Sequence, residues 1–237
     1  MTADAVGLRG AAFFDLDGTL IPGSANIALS IAAFRRGWVP PRDLLRDAWF
    51  GLHFLLSGAS DDRARAVRDR ILAAVAGHRV DDVVGLGTEF IPQVAESVTA
   101  EARTLLEEQA AAGRDRYVVS ATSQEIVSML ADQIGIEGGL GTRSQIVAGR
   151  YTGELDGPFC YGTGKVAAIE ALAAERGYDL AASYAFSDSP SDIPMLERVG
   201  HPVVVNPDAE LRRVAVARGW PIIDVAARGW RRLLSRR

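Results

Sequence analysis

A single cysteine, Cys160, in 237 residues excludes an internal disulfide and a multi-cysteine zinc site. Only three histidines are present, His53, His78 and His201, and they show no metal-ligand spacing, which argues against zinc. Positive charge is not in excess: 26 Lys and Arg stand against 30 Asp and Glu, so the net charge of -4 speaks against a general nucleic-acid binder. Nowhere do 18 residues pass without polar interruption, and the opening MTADAVGLRG lacks a basic stretch followed by a signal-length apolar run. Neither secretion nor a membrane span is expected, and a reducing cytoplasm is the simplest home. The basic tail from Trp230, WRRLLSRR, has the composition to touch an anionic membrane peripherally, but a solvated helix end is the simpler reading. Repeats and low-complexity segments are missing too.

What is present is an ordinary globular composition, 48% hydrophobic and 24% charged, in a chain long enough for one domain plus an insertion. The stretch AAFFDLDGTLI, residues 11–21, is its organising element. Leu8, Ala11, Ala12, Phe13 and Phe14 read as a short buried strand, and Gly18 and Thr19 turn the chain after two acids, Asp15 and Asp17. Carboxylates at the end of a buried strand are costly unless a cation meets them. In an open α/β sheet that end is where ligands bind. The alternative is an acidic turn that caps nearby amides.

Between Pro22 and Gly87 three helical segments follow one another, with Asn26 or Ser24 as cap of the first and Ser60, Asp61 and Asp62 opening the third. This run is too long for a simple βα connection. Residues 22–87 are therefore expected to form a helical cap inserted into an α/β core made of residues 1–21 and 88–237. Arg42, Arg46, His53, His78 and Arg79 are its polar candidates for meeting an anionic substrate. From Ile91 the sequence predicts one long helix ending at Gly113, then a strand at Tyr117–Val119 followed by Ser120. Residues 139–158 read as a β-hairpin. A helix beginning GTGK, the strand AASYAFSD, a helix over SPSDIPMLERVG, the strand HPVVVNPD and a last helix over residues 209–219 complete a βα rhythm. The expected class is α/β, a Rossmann-like core with a mostly parallel sheet, a helical cap and a small hairpin.

Asp15, Asp17, Ser120, Asp188 and Asp192 stand at or just after predicted strand ends, and Lys165 opens a helix, so they are expected to converge on one rim. These residue types suit phosphoryl transfer. Oxygen ligands such as Asp15 and Asp188 hold a hard cation like Mg²⁺. A carboxylate can then attack phosphorus while a second acid, Asp17, handles the leaving-group proton. Ser120 and Lys165 would meet the phosphoryl oxygens. Each residue has a plainer reading: serine after a strand caps a helix, most lysines face solvent, and Asp188 with Asp192 could be a capping pair. GTGK is not the end of a nucleotide-binding loop, because Phe159 stands where a glycine is required and Val166 follows the lysine. Cys160 has no neighbouring histidine and reads as a buried thiol.

FFDLDGTL, VVSAT, the Lys165 segment and FSDSPSDIPML resemble, in order, the four signature motifs of the haloacid dehalogenase-like superfamily of aspartate-nucleophile phosphatases. The helical insertion after the first motif places the chain near the phosphoserine phosphatase-like branch, subclass IB. The resemblance implies Asp15 as nucleophile and Mg²⁺ ligand, and Asp17 as general acid/base that also offers its carbonyl to the metal. It implies Ser120 and Lys165 as phosphate ligands, Asp188 as a metal ligand, and Asp192 as support for Lys165 or metal-bound water. Two positions depart from the pattern. Ser187 replaces the usual glycine before the first aspartate of the fourth motif, a tolerable change if its side chain points away. Ser24 stands where phosphoserine phosphatases carry a substrate-reading glutamate, so an amino group would need a cap acid such as Asp43 or Asp47. Members similar to this subgroup act on phosphoserine, histidinol phosphate and glycerol or lysophospholipid phosphates. The expected activity is a Mg²⁺-dependent phosphomonoesterase acting on a small phosphate ester. The alternatives are a phosphotransferase or phosphomutase, a lysophospholipid-type phosphatase, and a silent phosphate-binding module.

Overall fold

The computed structural model describes residues 9–38, 68–69 and 71–224. Elements are numbered in chain order within those residues. Leu8, the cap residues Arg42, Asp43, Arg46, Asp47, His53, Ser60, Asp61 and Asp62, and the tail from Trp230 lie outside them.

β1 (Ala11–Asp15) is completely buried, as its uninterrupted apolar run requires. It is flanked on both sides by parallel neighbours, β2 (Asp115–Ser123) and β6 (Tyr184–Ser187). With β3 (Gly138–Thr142), β7 (His201–Val205) and β8 (Ile222–Ile223), they form a six-stranded sheet of order β3-β2-β1-β6-β7-β8, every pair parallel. After β1 the chain builds outward through β2 and β3, then returns to β6 and builds the other way. The order therefore reverses at β1 and β6, and a crevice opens at their carboxyl ends.

Alternation along β1 decides which layer each residue joins. Ala12 and Phe14 face a cluster with α2 (Val80–Glu96), α3 (Ala100–Ala111) and α4 (Gln124–Ile134), including Leu86, Phe90, Leu106, Ile126 and Leu130. Ala11 and Phe13 face the opposite cluster with α5 (Thr163–Arg176), α6 (Ile193–Arg198) and α7 (Ala209–Arg218), including Ile169, Met195, Leu196 and Leu211. The Phe14 and Phe186 rings stack with centroids 4.3 Å apart, joining β1 to β6 directly beneath the crevice.

Several elements differ from the sequence expectation. The long helix expected after Ile91 is two helices: α2 ends at Glu96, and α3 starts afresh with Thr99 as its cap, the Thr99 hydroxyl accepting from Ala102 N–H at 3.1 Å. α2 runs unbroken through Gly87, where a Cβ would meet Met129 Sδ at 2.8 Å and Ile126 Cδ1 at 2.9 Å. That glycine allows close packing of α2 on α4. β2 is longer than expected and carries Ser120 within it, with a register shift between Val119 and Ser123. The segment read wholly as a hairpin contributes β3 to the main sheet. Only β4 (Ser144–Val147) and β5 (Arg150–Leu155) form the hairpin, across a turn at Ala148 and Gly149, both with positive φ. The helix expected over SPSDIPMLERVG begins as a 3₁₀ turn, Pro190–Asp192, before α6.

α1 (Ala25–Arg35) packs Ala25, Ala32 and Ala33 into the cluster that holds Ala12 and Phe14 of β1. Arg36, at its end, donates to the Gly85 carbonyl at 3.0 Å and pairs with Glu89 at 2.5 Å, tying α1 to α2. The hairpin is bonded to the chain just before α2: Gly77 N–H donates to Tyr151 at 2.8 Å and Val80 N–H to Gly149 at 3.1 Å. Tyr151 packs there with Val75, Val83 and Trp38. No helix among the described residues is long and apolar enough to cross a membrane.

Candidate active site

Strand register alone brings three motifs together. Asp15 is level with Val119 on one neighbour, and Phe14 with Phe186 on the other, so Ser120 and Asp188 each follow within a residue or two of Asp15's level. The turn after β1 is closed by Gly18 N–H donating to Ile21 at 2.9 Å and Leu20 N–H to Leu16 at 3.0 Å. Gly18 has φ +81°, and a Cβ there would lie 2.0 Å from Asp188 Oδ2. Glycine is thus required both for the turn and for the approach of Asp188. The Thr19 hydroxyl donates to Asp188 Oδ1 at 3.1 Å, fixing that carboxylate over the turn.

Lys165 projects from the first turn of α5 and is 3% exposed. Its ammonium donates to Asp15 Oδ1 at 2.5 Å and to Asp192 Oδ2 at 2.7 Å. Burial works against this charge, yet Asp15 and Asp192 hold the ammonium well above its ordinary range. The same pair of acids offsets the repulsion between a lysine and the positive end of a helix dipole. Asp192 is 1% exposed. Its Oδ2 also accepts from the Ser187 hydroxyl at 2.7 Å, while its Oδ1 is buried without a partner. Ser187 therefore points into the site, contrary to the expectation that it turns away.

Asp15 is raised well above the usual carboxylate range, by burial first and then by the negative charges of Asp192 and Asp188, against the pull of Lys165. Burial likewise pushes Asp188 up to about 6, with Asp192 adding repulsion and Thr19 opposing it. Asp17 is raised by burial, opposed by hydrogen bonds from Ala25 N–H at 2.8 Å and the Ser24 hydroxyl at 2.7 Å. Ser24, one of the two residues the sequence offers as cap, stands at the N-cap of α1, but its side chain makes no capping bond and donates instead to Asp17; it is Asp17 that satisfies an N-terminal amide of α1. Ser120 is 4% exposed, its hydroxyl accepting from Thr122 N–H and donating to the Thr122 hydroxyl, both at 3.2 Å. It lies in the strand just before α4, where helix amides are available to an anion.

Among the described residues no group of three or more His, Cys, Asp or Glu side chains forms a ready cation cage. The donor set nonetheless fits Mg²⁺, which takes one or two carboxylates and completes its octahedron with waters and phosphate oxygens. Two desolvated carboxylates, Asp15 and Asp192, share one buried ammonium, and one oxygen of Asp192 is buried with no partner. Asp15 and Asp188 would hold the ion.

Other candidates lie elsewhere. The His78 ring stacks on Trp38 at 4.1 Å beside the hairpin, and Arg79 pairs with exposed Asp81. His201 opens β7, at the opposite end of the sheet, stacked on Tyr184 at 4.5 Å. Cys160 is buried and its thiol is pushed up to about 12, mainly by that burial, which favours the neutral thiol. Sequence reasoning missed the contacts of Thr19, Ser24, Thr122 and Ser187. Their only signal was small hydroxyl residues crowded beside the acids.

Residues 12–197 match the haloacid dehalogenase-like hydrolase family. A probable phosphatase of Mycobacterium tuberculosis is 43% identical over 217 residues, covering 91% of this chain and 75% of that protein. A histidinol-phosphatase of Neisseria meningitidis is 29% identical, covering 92% of this chain and 99% of its own length. Among solved structures, a Bordetella pertussis protein of unknown function superposes with a TM-score of 0.79 at 30% identity, over 92% of this chain and 99% of that one. With its Asp-bearing switch strand, buried lysine and parallel sheet, this chain belongs to the haloacid dehalogenase-like hydrolases, on the branch of the phosphoserine phosphatase-like phosphatases.

Proposed function

We propose that the chain is a Mg²⁺-dependent phosphomonoesterase that hydrolyses a small phosphate ester through an aspartyl phosphate on Asp15. The observation that carries this reading is the ammonium of Lys165 shared between Asp15 and Asp192 at the rim where the strand order reverses. Lys165 holds Asp15 Oδ1 and leaves Oδ2 to attack phosphorus. As that oxygen bonds to phosphorus the ester P–O bond breaks, and Asp17 gives its proton to the departing alkoxide. Water then attacks the acyl phosphate, Asp17 taking its proton, and inorganic phosphate leaves with Asp15 restored. Burial keeps Asp17 raised, which suits a group that must carry a proton and return it. Ser120 and Lys165 would bind the phosphoryl oxygens as charge moves from Asp15 to the transferring group. Mg²⁺, when bound by Asp15, Asp188 and the Asp17 carbonyl, would supply charge neutralisation for those oxygens. Residues 22–87 would act as the cap over this site.

The leaving group is the open part of the reading. Ser24 directs its hydroxyl to Asp17, and at that position no carboxylate is available to pair with a substrate ammonium. The test is phosphate release from O-phosphoserine, histidinol phosphate, glycerol phosphate, sugar phosphates, mononucleotides and a short-chain lysophosphatidate, with Mg²⁺ and with chelator, beside Asp15→Asn. Mg²⁺-dependent release abolished in Asp15→Asn is the expected result. Folded wild-type protein inert on the whole panel would overturn the assignment for these substrates.

A further inference from the structure

The Ser187 side chain is fully buried, at the end of β6, one residue before Asp188. Its hydroxyl oxygen accepts from Ser189 N–H at 3.2 Å, and its proton is donated to Asp192 Oδ2 at 2.7 Å. Because a lone pair is engaged by the amide, the hydroxyl proton is directed to the carboxylate. One oxygen thus spans the loop on both sides of Asp188 and reaches the acid that holds Lys165. A glycine here would supply neither bond. The two donors on Asp192 Oδ2, Lys165 and Ser187, also leave Oδ1 as the only oxygen of that carboxylate without a partner.

We propose that Ser187 is a positioning residue of this hydrolase, its hydroxyl locking Asp192 against Lys165 and fixing the backbone that presents Asp188. This rests on the phosphatase reading above. Without the hydroxyl, Asp192 can rotate so that both oxygens chelate Lys165, drawing the ammonium from Asp15 and the phosphoryl group. The loop carrying Asp188 loses the bond to Ser189 N–H at the same time. Partners of this kind behind a metal ligand or catalytic group typically change affinity or activity about 10–100-fold when removed.

The experiment compares wild type with Ser187→Ala, Ser187→Gly and Ser187→Thr in the full chain. Mn²⁺ affinity is read by EPR, kcat and KM on the best substrate of the panel, and thermal midpoint in parallel. Loss of the hydroxyl should weaken Mn²⁺ binding and lower kcat, each about tenfold, with KM little changed and the protein folded. Thr, which keeps the hydroxyl, should recover most of kcat. The Asp192→Asn variant, alone and combined with Ser187→Ala, guards against a Thr methyl that does not fit. The two losses should be strongly non-additive, since both act through one carboxylate. Ala and Gly variants with wild-type Mn²⁺ affinity and kcat, whatever their thermal midpoint, would show a packing role alone and overturn the proposal. A fall in activity fully additive with Asp192→Asn would also overturn it. Should wild type turn over nothing yet bind Mn²⁺, the phosphatase reading fails while the EPR comparison still decides the role of Ser187.

Discussion

Replacing Asp188 with asparagine should make the metal-free protein more stable near neutral pH, although it removes a residue proposed for the site. Asp188 moves from an ordinary value of 3.8 to about 6 on folding, chiefly through burial. The folded value lies above the unfolded one, so the stability tied to this carboxyl is fully present below about pH 4 and is lost as pH rises through about 6. Ionising it within the fold costs about 3 kcal/mol by that difference. The side chain is partly open to solvent, and screening reduces the figure to about 1–2 kcal/mol. Asparagine carries no such cost and can still accept from the Thr19 hydroxyl as Asp188 Oδ1 does. It also relieves the repulsion that Asp188 exerts on Asp15. In a chain of this size 1 kcal/mol moves the unfolding midpoint by about 2–4 °C. Calorimetry with chelator should show the variant about 2–8 °C above wild type near pH 7.5, with most of the gain gone near pH 4. Added Mg²⁺ should raise wild type and reverse or close the gap, by binding only the folded state. A variant no more stable than wild type at neutral pH, or equally favoured at pH 4, would refute the idea that an uncompensated charge sits there.

The contacts of the site's periphery make two further predictions. Ser24→Ala leaves Asp17 with the Ala25 amide alone, so kcat should fall about tenfold on an alkyl phosphate and far less on p-nitrophenyl phosphate, whose leaving group needs no proton; equal losses on both would separate Ser24 from the acid's work. Arg36→Ala removes the bonds to Gly85 and Glu89 that join α1 to α2, and should lower stability by about 1 kcal/mol, seen as a thermal midpoint about 2–4 °C lower, without changing the Mn²⁺ affinity of the site.

Apolar runs and turn residues made much of the core legible before the fold was seen. AAFFD, short, apolar and bounded by a Gly-Thr turn, reads as a strand buried on both faces, and a strand so buried calls for parallel neighbours and helices on each side. The pairing of acids with strand ends, the lysine at a helix start and the order of motifs followed from local chemistry. Helix breaks and strand membership did not. Thr99 restarts a helix after only three weaker helix formers, Ser97, Val98 and Thr99, in an alanine- and glutamate-rich run, and Gly138–Thr142 joins the main sheet because β2 offers it an edge, which no local pattern records.

The sequence by itself determined which groups could do chemistry here: Asp15, Asp17, Ser120, Lys165, Asp188 and Asp192, because their charge and oxygen donors depend only on residue type. Tertiary structure alone decided what each of them touches. Lys165 meets Asp15 across 150 residues and Asp192 across 27, Ser187 turns inward to Asp192, and Ser24 gives its proton to Asp17. Those choices depend on strand register and burial. A hydroxyl beside an acid is indistinguishable in sequence from one facing solvent until neighbouring strands exclude the water it would otherwise bind.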